Sequence, residues 1–148
     1  MDEIDRKILR LLQENARVSL KTLAENTFLS SPAVSARIER MEKEGVISGY
    51  HAQIDPIRLG YHIVAFISLD VKTQDKASFY AYAQSIPNIM ECNCVTGEYS
   101  MLLKVAFQSM MDLDIFIDQL QQFGRTSTQI VFSTHVGPRG VGMDEISF

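Results

Sequence analysis

The stretch SSPAVSARIERMEKEG, residues 30–45, reads as one capped amphipathic helix, and it decides how the first third of the chain folds. Ser30 and Ser31 offer hydroxyls to free backbone N–H groups, and Pro32 suits the first turn, where no donor is needed. Val34, Ile38 and Met41 share one face, and Gly45 ends the helix as the residue that tolerates a left-handed conformation. The opposite face carries Pro32, Ala33, Ser35, Ala36, Glu39, Arg40 and Lys43, with Arg37 on its flank. Small residues followed by long cations let a backbone approach a groove while the cations reach phosphate or guanine. Mixed Arg, Glu and Lys are also the ordinary content of a solvated helix face, and that face alone favours this plainer reading.

Its neighbours reverse the balance. Ile4, Ile8, Leu11 and Leu12 recur at helical spacing, with Asp2 and Asp5 supplying an N-cap and first-turn charge. Ser19 caps a second helix, Leu20 to Asn26, in which Leu20, Leu23 and Ala24 form a short apolar face. A capped third helix after a tight turn, behind two others, is the trihelical arrangement that delivers a recognition helix to the major groove.

Downstream, residues 46–60 contain Gly49, Pro56 and Gly60 around an extended segment, which predicts a strand-containing linker. Ile63 to Lys72 alternates as a strand, Ala77 to Ser85 is helical, and Ile89 to Thr96 and Tyr99 to Phe107 are strands about a turn at Gly97. Ser109 to Phe123 forms a helix behind a Ser109/Asp112 cap, and Ser127 to Val136 makes the last strand. The order β-α-β-β-α-β is that of the ferredoxin-like split unit, with two helices on one face of an antiparallel sheet. The fold class is therefore α+β: a trihelical helix-turn-helix over 1–45, a hinge strand and linker over 46–60, an α/β domain over 61–136 and a tail over 137–148. Leu102, Ala106, Val64 and Phe66 make the uncovered sheet face apolar, so a second copy is expected to cover it in a symmetric homodimer.

The chain of 148 residues is 46% hydrophobic and 22% charged, a globular profile. Its net charge of −4 speaks against a general nucleic-acid coat. Residues 1–45, however, hold eight Lys and Arg against eight acids, while the rest hold six against ten, so any phosphate contact belongs to the first 45 residues. The opening MDEIDRK carries no secretory signal and no apolar run is long enough to span a membrane, which predicts a cytoplasmic protein. Cys92 and Cys94 should point to one buried strand face; with His51, His62 and His135 scattered, no metal site is expected. No nucleophile elbow, phosphate-cradling glycine loop or cofactor motif occurs, and GPRGVG at 137–142 follows a strand without opening a helix, so neither catalysis nor a cofactor is expected.

The run from DEIDRKILRLL through SSPAVSARIERMEKEGVISGY, together with VTGEYSMLLKV and TSTQIVF, resembles the Lrp/AsnC (feast/famine) family of transcription regulators over nearly the whole chain. The resemblance implies a wingless helix-turn-helix, a hinge strand and a ligand-sensing α/β domain that builds dimers and larger assemblies, an octamer being left open. Its partners would be double-stranded DNA and a small-molecule effector such as an amino acid. Carried over by position, Ser31, Pro32, Ser35, Arg37 and Arg40 become the DNA-contact candidates. Gly97, Glu98, Tyr99 and Ser100 match the effector-pocket loop, and Thr126 and Thr128 the last-strand positions nearby; read without the resemblance, that loop is simply a β-turn. Two residues depart from the pattern. Phe28 stands where relatives commonly have glycine, and Ser100 where they usually have an aspartate able to bind an ammonium group. Amino-acid sensing would then need Glu98 as a substitute, or the ligand is another or none. The rival from a different class is a siroheme-decarboxylase-like enzyme on the same fold, which would need His and Arg where this chain has CVTGEYSM. A partner protein that does not bind DNA would be expected to have lost Arg37, Arg40 and Lys43, which are present.

Overall fold

A computed structural model describes residues 1–142. They form two compact units, one of Met1–Gln53 with the described residues from Val136 onward, the other of Ile54–His135.

The first unit holds α1 (Glu3–Glu14), α2 (Leu20–Thr27) and α3 (Ser31–Lys43). Each begins on the side chain that the sequence offers for it. Asp2 and Asp5 close a reciprocal capping box, with bonds of 2.9 Å each way, and Ser19 and Ser30 accept from Thr22 and Ala33 N–H. Ile8, Leu9, Leu23, Ala24, Val34 and Met41 form the core, with Ile38 and Ile47 packed against it. Beyond Gly45 (φ 73°) the N–H groups of Val46 and Ile47 return to the Met41 carbonyl at 2.9 and 3.1 Å. The first residues of the expected hinge therefore finish α3.

No strand forms between α3 and β1 among the described residues, which corrects the hinge strand expected over 46–60. An extended segment is a strand only when another pairs with it. Here Pro56 to Gly60 instead make a 3₁₀ turn, Ile57–Leu59, ended by Gly60 at φ 86°.

The second unit is a four-stranded antiparallel sheet in the order β2-β3-β1-β4, from β1 (Ile63–Leu69), β2 (Ile89–Cys94), β3 (Met101–Phe107) and β4 (Thr126–Ile130). Helices α4 (Lys76–Ser85) and α5 (Met110–Leu120) connect them. Ala65, Ile67, Leu69, Met101, Leu103 and Val105 on the sheet meet Phe79, Ala83, Leu113, Phe116 and Leu120 from the helices. That is the split β-α-β arrangement. The last strand stops at Ile130 and not at Val136: after Val131 N–H reaches the Val64 carbonyl, β1 has almost no backbone left to pair, and Phe132 is fully exposed. The open sheet face carries Val64, Phe66, Leu102 and Ala106, but Lys104 sits among them, paired with Glu91 at 3.8 Å, so the apolar strip is interrupted.

Cys92 and Cys94 are opposite Leu103 and Met101, hence on the core side of the sheet, yet both are exposed. This overturns the expected burial: β2 is an edge strand, and beside it lies a groove lined by Tyr80, Gln84, Met90 and the two cysteines. Desolvation, with Cys94 adding to it, pushes the Cys92 thiol up. Of the expected tail, residues 137–142 belong to the first unit, where Gly140 lies against the Gln13 side chain; 143–148 lie outside the described residues. No helix among the described residues is long and apolar enough to cross a membrane.

Candidate DNA-binding and effector sites

Helix α3 buries Val34 and Met41 and turns Pro32, Ala36, Glu39 and Lys43 to solvent, with Ser31 and Ser35 half-buried on its flank. Ser35 donates to Glu39 at 3.0 Å, one turn on. The outward face is thus small and polar at its start and longer toward its end.

The two arginines do something the helical wheel did not reveal. Arg37 Nη1 donates to both carboxylate oxygens of Asp2, at 2.9 and 2.7 Å, and to Asp5 at 2.8 Å; Arg40 Nη2 donates to the other Asp5 oxygen at 2.7 Å. The N-terminal capping box of α1 is therefore also a carboxylate clamp on the flank of α3. Asp5 is only 1% exposed. Burial alone would raise its carboxyl, but the bonds from Asp2 N–H and Arg37 outweigh that and leave it lowered. The hydrogen bond from Arg37, aided by the Asp5 backbone, takes Asp2 from 3.8 to about 2, and the same two carboxylates raise Arg37. At the far end of α3, Tyr50 donates to Glu42 at 2.8 Å; burial, then that bond, pushes the phenol to about 12.

Before α3 the turn is unusual. Phe28 ends α2 in a left-handed conformation, φ 57°, the one non-glycine positive φ among the described residues. This conformation costs an L-residue roughly 1–2 kcal/mol. Its ring is 93% exposed, with Lys7 Nζ 5.9 Å from the centroid.

The loop 95–100 joining β2 to β3 is closed by Val95 N–H on the Ser100 carbonyl at 2.9 Å and turned by Gly97 at φ 116°. The Ser100 hydroxyl is already engaged: it accepts from Val71 N–H at 2.9 Å and donates toward the Val71 carbonyl at 3.2 Å. Glu98 is paired with Arg125 at 2.7 Å, and the Arg125 guanidinium lies 4.9 Å from the Tyr99 ring centroid. The bond to Glu98 is the main reason Arg125 is raised. Sequence reading missed Arg125, which is 27 residues away from Glu98 along the chain. The signal that existed was Gly124 beside it: a Cβ there would collide with the Asp70 carbonyl, and this close approach lets Asp70 N–H bond the Arg125 carbonyl at 2.9 Å. Thr126 and Thr128 face the helix side of β4, opposite Leu69 and Ile67, and both are half-buried. The loop and Thr126 thus share one end of the sheet, whereas Thr128 is two residues farther in. Two grooves of the second unit, one beside β2 and one between Tyr61, Asn88 and Asp112, are lined by none of these residues except at the β2 edge, outside the loop.

A capped trihelical unit presenting its third helix, with a split β-α-β sheet unit following it, defines a DNA-binding transcription regulator. The winged helix-turn-helix DNA-binding family matches residues 1–48, and the Lrp/AsnC ligand binding domain matches residues 64–141. The chain is 37% identical over 134 residues to the HTH-type transcriptional regulator YezC of Bacillus subtilis, covering 90% of this chain and 95% of that one. The structure of B. subtilis LrpC superposes with a TM-score of 0.88 at 29% identity, over 93% of this chain and 99% of the other. A transcriptional regulator of Neisseria meningitidis, NMB0573, solved as a complex with L-Met, does so at 0.87 and 26%, over 93% of both chains. This protein belongs to the Lrp/AsnC family of transcription regulators. Its relatives are named as regulators, and the family description of its first domain calls it winged, although no strand follows α3 before Ile63 among the described residues.

Proposed function

We propose that the protein binds specific sequences of double-stranded DNA through α3 and that a small zwitterion, an amino acid, modulates this binding at the 97–100 loop. The outward face of α3 carries the first part: its inner face is spent on the core, its cap leaves the N-terminal turn open, and Ser31, Pro32 and Ser35 lead into the groove. Arg37 and Arg40 complete the candidate set from the flank, where the grip of Asp2 and Asp5 gives them a second task of fixing the helix. Arg40 is the better placed to reach outward, being half-exposed, whereas Arg37 is mostly covered. Arg40→Ala should weaken binding to the preferred duplex by about 1–3 kcal/mol if it reads a base. Unchanged affinity in both Arg40→Ala and Arg37→Ala sinks their assignment as contacts.

For the effector, support comes from the L-Met complex of the Neisseria relative and from the Glu98–Arg125 pair. An amino acid carries an ammonium and a carboxylate, and this exposed pair presents one complementary group to each. Ser100 cannot replace the carboxylate that relatives commonly have there, and its hydroxyl is held by Val71. Gly97, Tyr99, Thr126 and Thr128 would shape the surroundings. Calorimetric titration with a panel of amino acids tests this: binding lost in Glu98→Gln supports it, and tight binding unaffected by that change refutes the role of Glu98. Val64, Phe66, Leu102 and Ala106 on the open sheet face, although interrupted by Lys104, support a homodimer, an octamer being the larger assembly to look for, and a cytoplasmic place follows from the DNA-binding reading; a monodisperse monomer in light scattering at micromolar concentration counts against the dimer.

A further inference from the structure

We infer that Phe28 is a DNA contact: an apolar probe at the leading edge of α3 that touches a thymine methyl or the adjoining sugar, with Lys7 beside it on phosphate. The inference rests on the DNA-binding reading above and extends it to a residue outside the recognition helix.

Two costs meet at this residue, and the fold repays only the first: the left-handed turn closes α2, the N–H groups of Phe28 and Leu29 both returning to the Ala24 carbonyl, whereas the exposed ring has no such return. A bulky L-residue in the left-handed region is an outlier that glycine would relieve. A phenyl ring left 93% in solvent buries no apolar surface of its own unit. The core of that unit is complete without it, from Ile8 to Met41. Glycine would close α2 without the strain, so what calls for an explanation is a large ring carried at this turn and left in solvent.

The position says what is met. Phe28 lies two residues ahead of Ser30, the N-cap of α3, and the N-terminal residues of a recognition helix are those that approach base edges. A cation stands beside it, Lys7 Nζ lying 5.9 Å from the ring centroid. An aromatic ring beside an ammonium group, bordering an exposed helix start that carries Ser31 and Pro32, matches a polyanion whose groove also displays methyl groups. A protein partner would need further apolar surface around the ring, and the flanking Thr27 is buried while Leu29 is half-buried against the core, so neither supplies much.

Stability and binding should therefore move in opposite directions in one variant. A duplex is selected from random sequence by the full wild-type chain and compared with an unrelated duplex. Phe28→Gly is expected to melt at a higher temperature, because glycine accepts φ 57°. It should also bind the selected duplex about tenfold more weakly, with little change on the unrelated one. Phe28→Ala, which keeps a side chain in the strained conformation, should lose the same affinity without the thermal gain. Lys7→Gln should weaken both duplexes and reduce the salt slope by about one. Wild-type affinity for the selected duplex in both Phe28 variants overturns the contact while leaving the reading of α3 intact. If the wild-type chain enriches no duplex, the DNA-binding reading falls and the contact falls with it.

Discussion

The helical unit and the sheet unit solve the same problem with different means. In the sheet unit, thirteen buried apolar residues from the two central strands β1 and β3, from α4 and α5, and from Val71 just beyond β1 make a continuous core, and its ion pairs lie outside it. The helical unit has six such residues, and one of its most buried groups is a carboxylate, Asp5. A small unit has little apolar surface to bury. Here part of its definition passes to charges: Asp2 and Asp5 fix where α1 starts and at what angle α3 crosses it. The comparison teaches that partly exposed arginines on one helix can be tied to the capping carboxylates of another.

Breaking the clamp should give the largest effect. Asp5→Ala leaves Arg40 without its partner and Arg37 with Asp2 alone, both arginines still reaching solvent, and is expected to destabilise the helical unit by up to about 3 kcal/mol, read as a separate early transition in urea while the sheet unit unfolds as before. Acid tests the same contact without mutation. Asp2 is depressed to about 2 and Asp5 is lowered as well, so their stabilisation is complete above the ordinary value of 3.8 and is lost as pH falls toward 2. Circular dichroism should show helix melting earlier on acidification, and Asp5→Asn should flatten that dependence. In the sheet unit, Ser100→Ala leaves Val71 N–H without its acceptor and should cost about 1–3 kcal/mol. The smallest effect belongs to Glu98→Gln, whose solvent-exposed pair with Arg125 contributes little to stability, so a loss of ligand binding in that variant reports recognition and not folding.

What the sequence disclosed divides along the same line. Caps such as Ser19, Ser30 and Ser109 were legible because each lies three residues from the N–H it satisfies. The succession of strands and helices along the chain was legible because alternation and helical spacing are local too. Arg40 was read as outward-facing and Arg37 as flanking that face, both without their carboxylate partners, because those lie 32 to 35 residues back, where no periodicity reaches. The same distance hid Arg125 from Glu98. For Cys92 and Cys94 the strand face was read correctly and the cover was not, since whether a helix shields an edge strand depends on packing that alternation does not encode. The hinge strand failed for a related reason: backbone can be extended by its sequence, but pairing takes a second strand.

The uncovered edge of β2 has a practical consequence. The two cysteines are the only ones in the chain, and both are exposed on that one strand. A thiol-reactive fluorophore would therefore attach to the sheet unit alone, with no engineered residue and no label on the helical unit. Because desolvation disfavours the Cys92 thiolate, its labelling should quicken at alkaline pH. The time course of modification then becomes a gauge of whether ligand or another subunit has covered that strand.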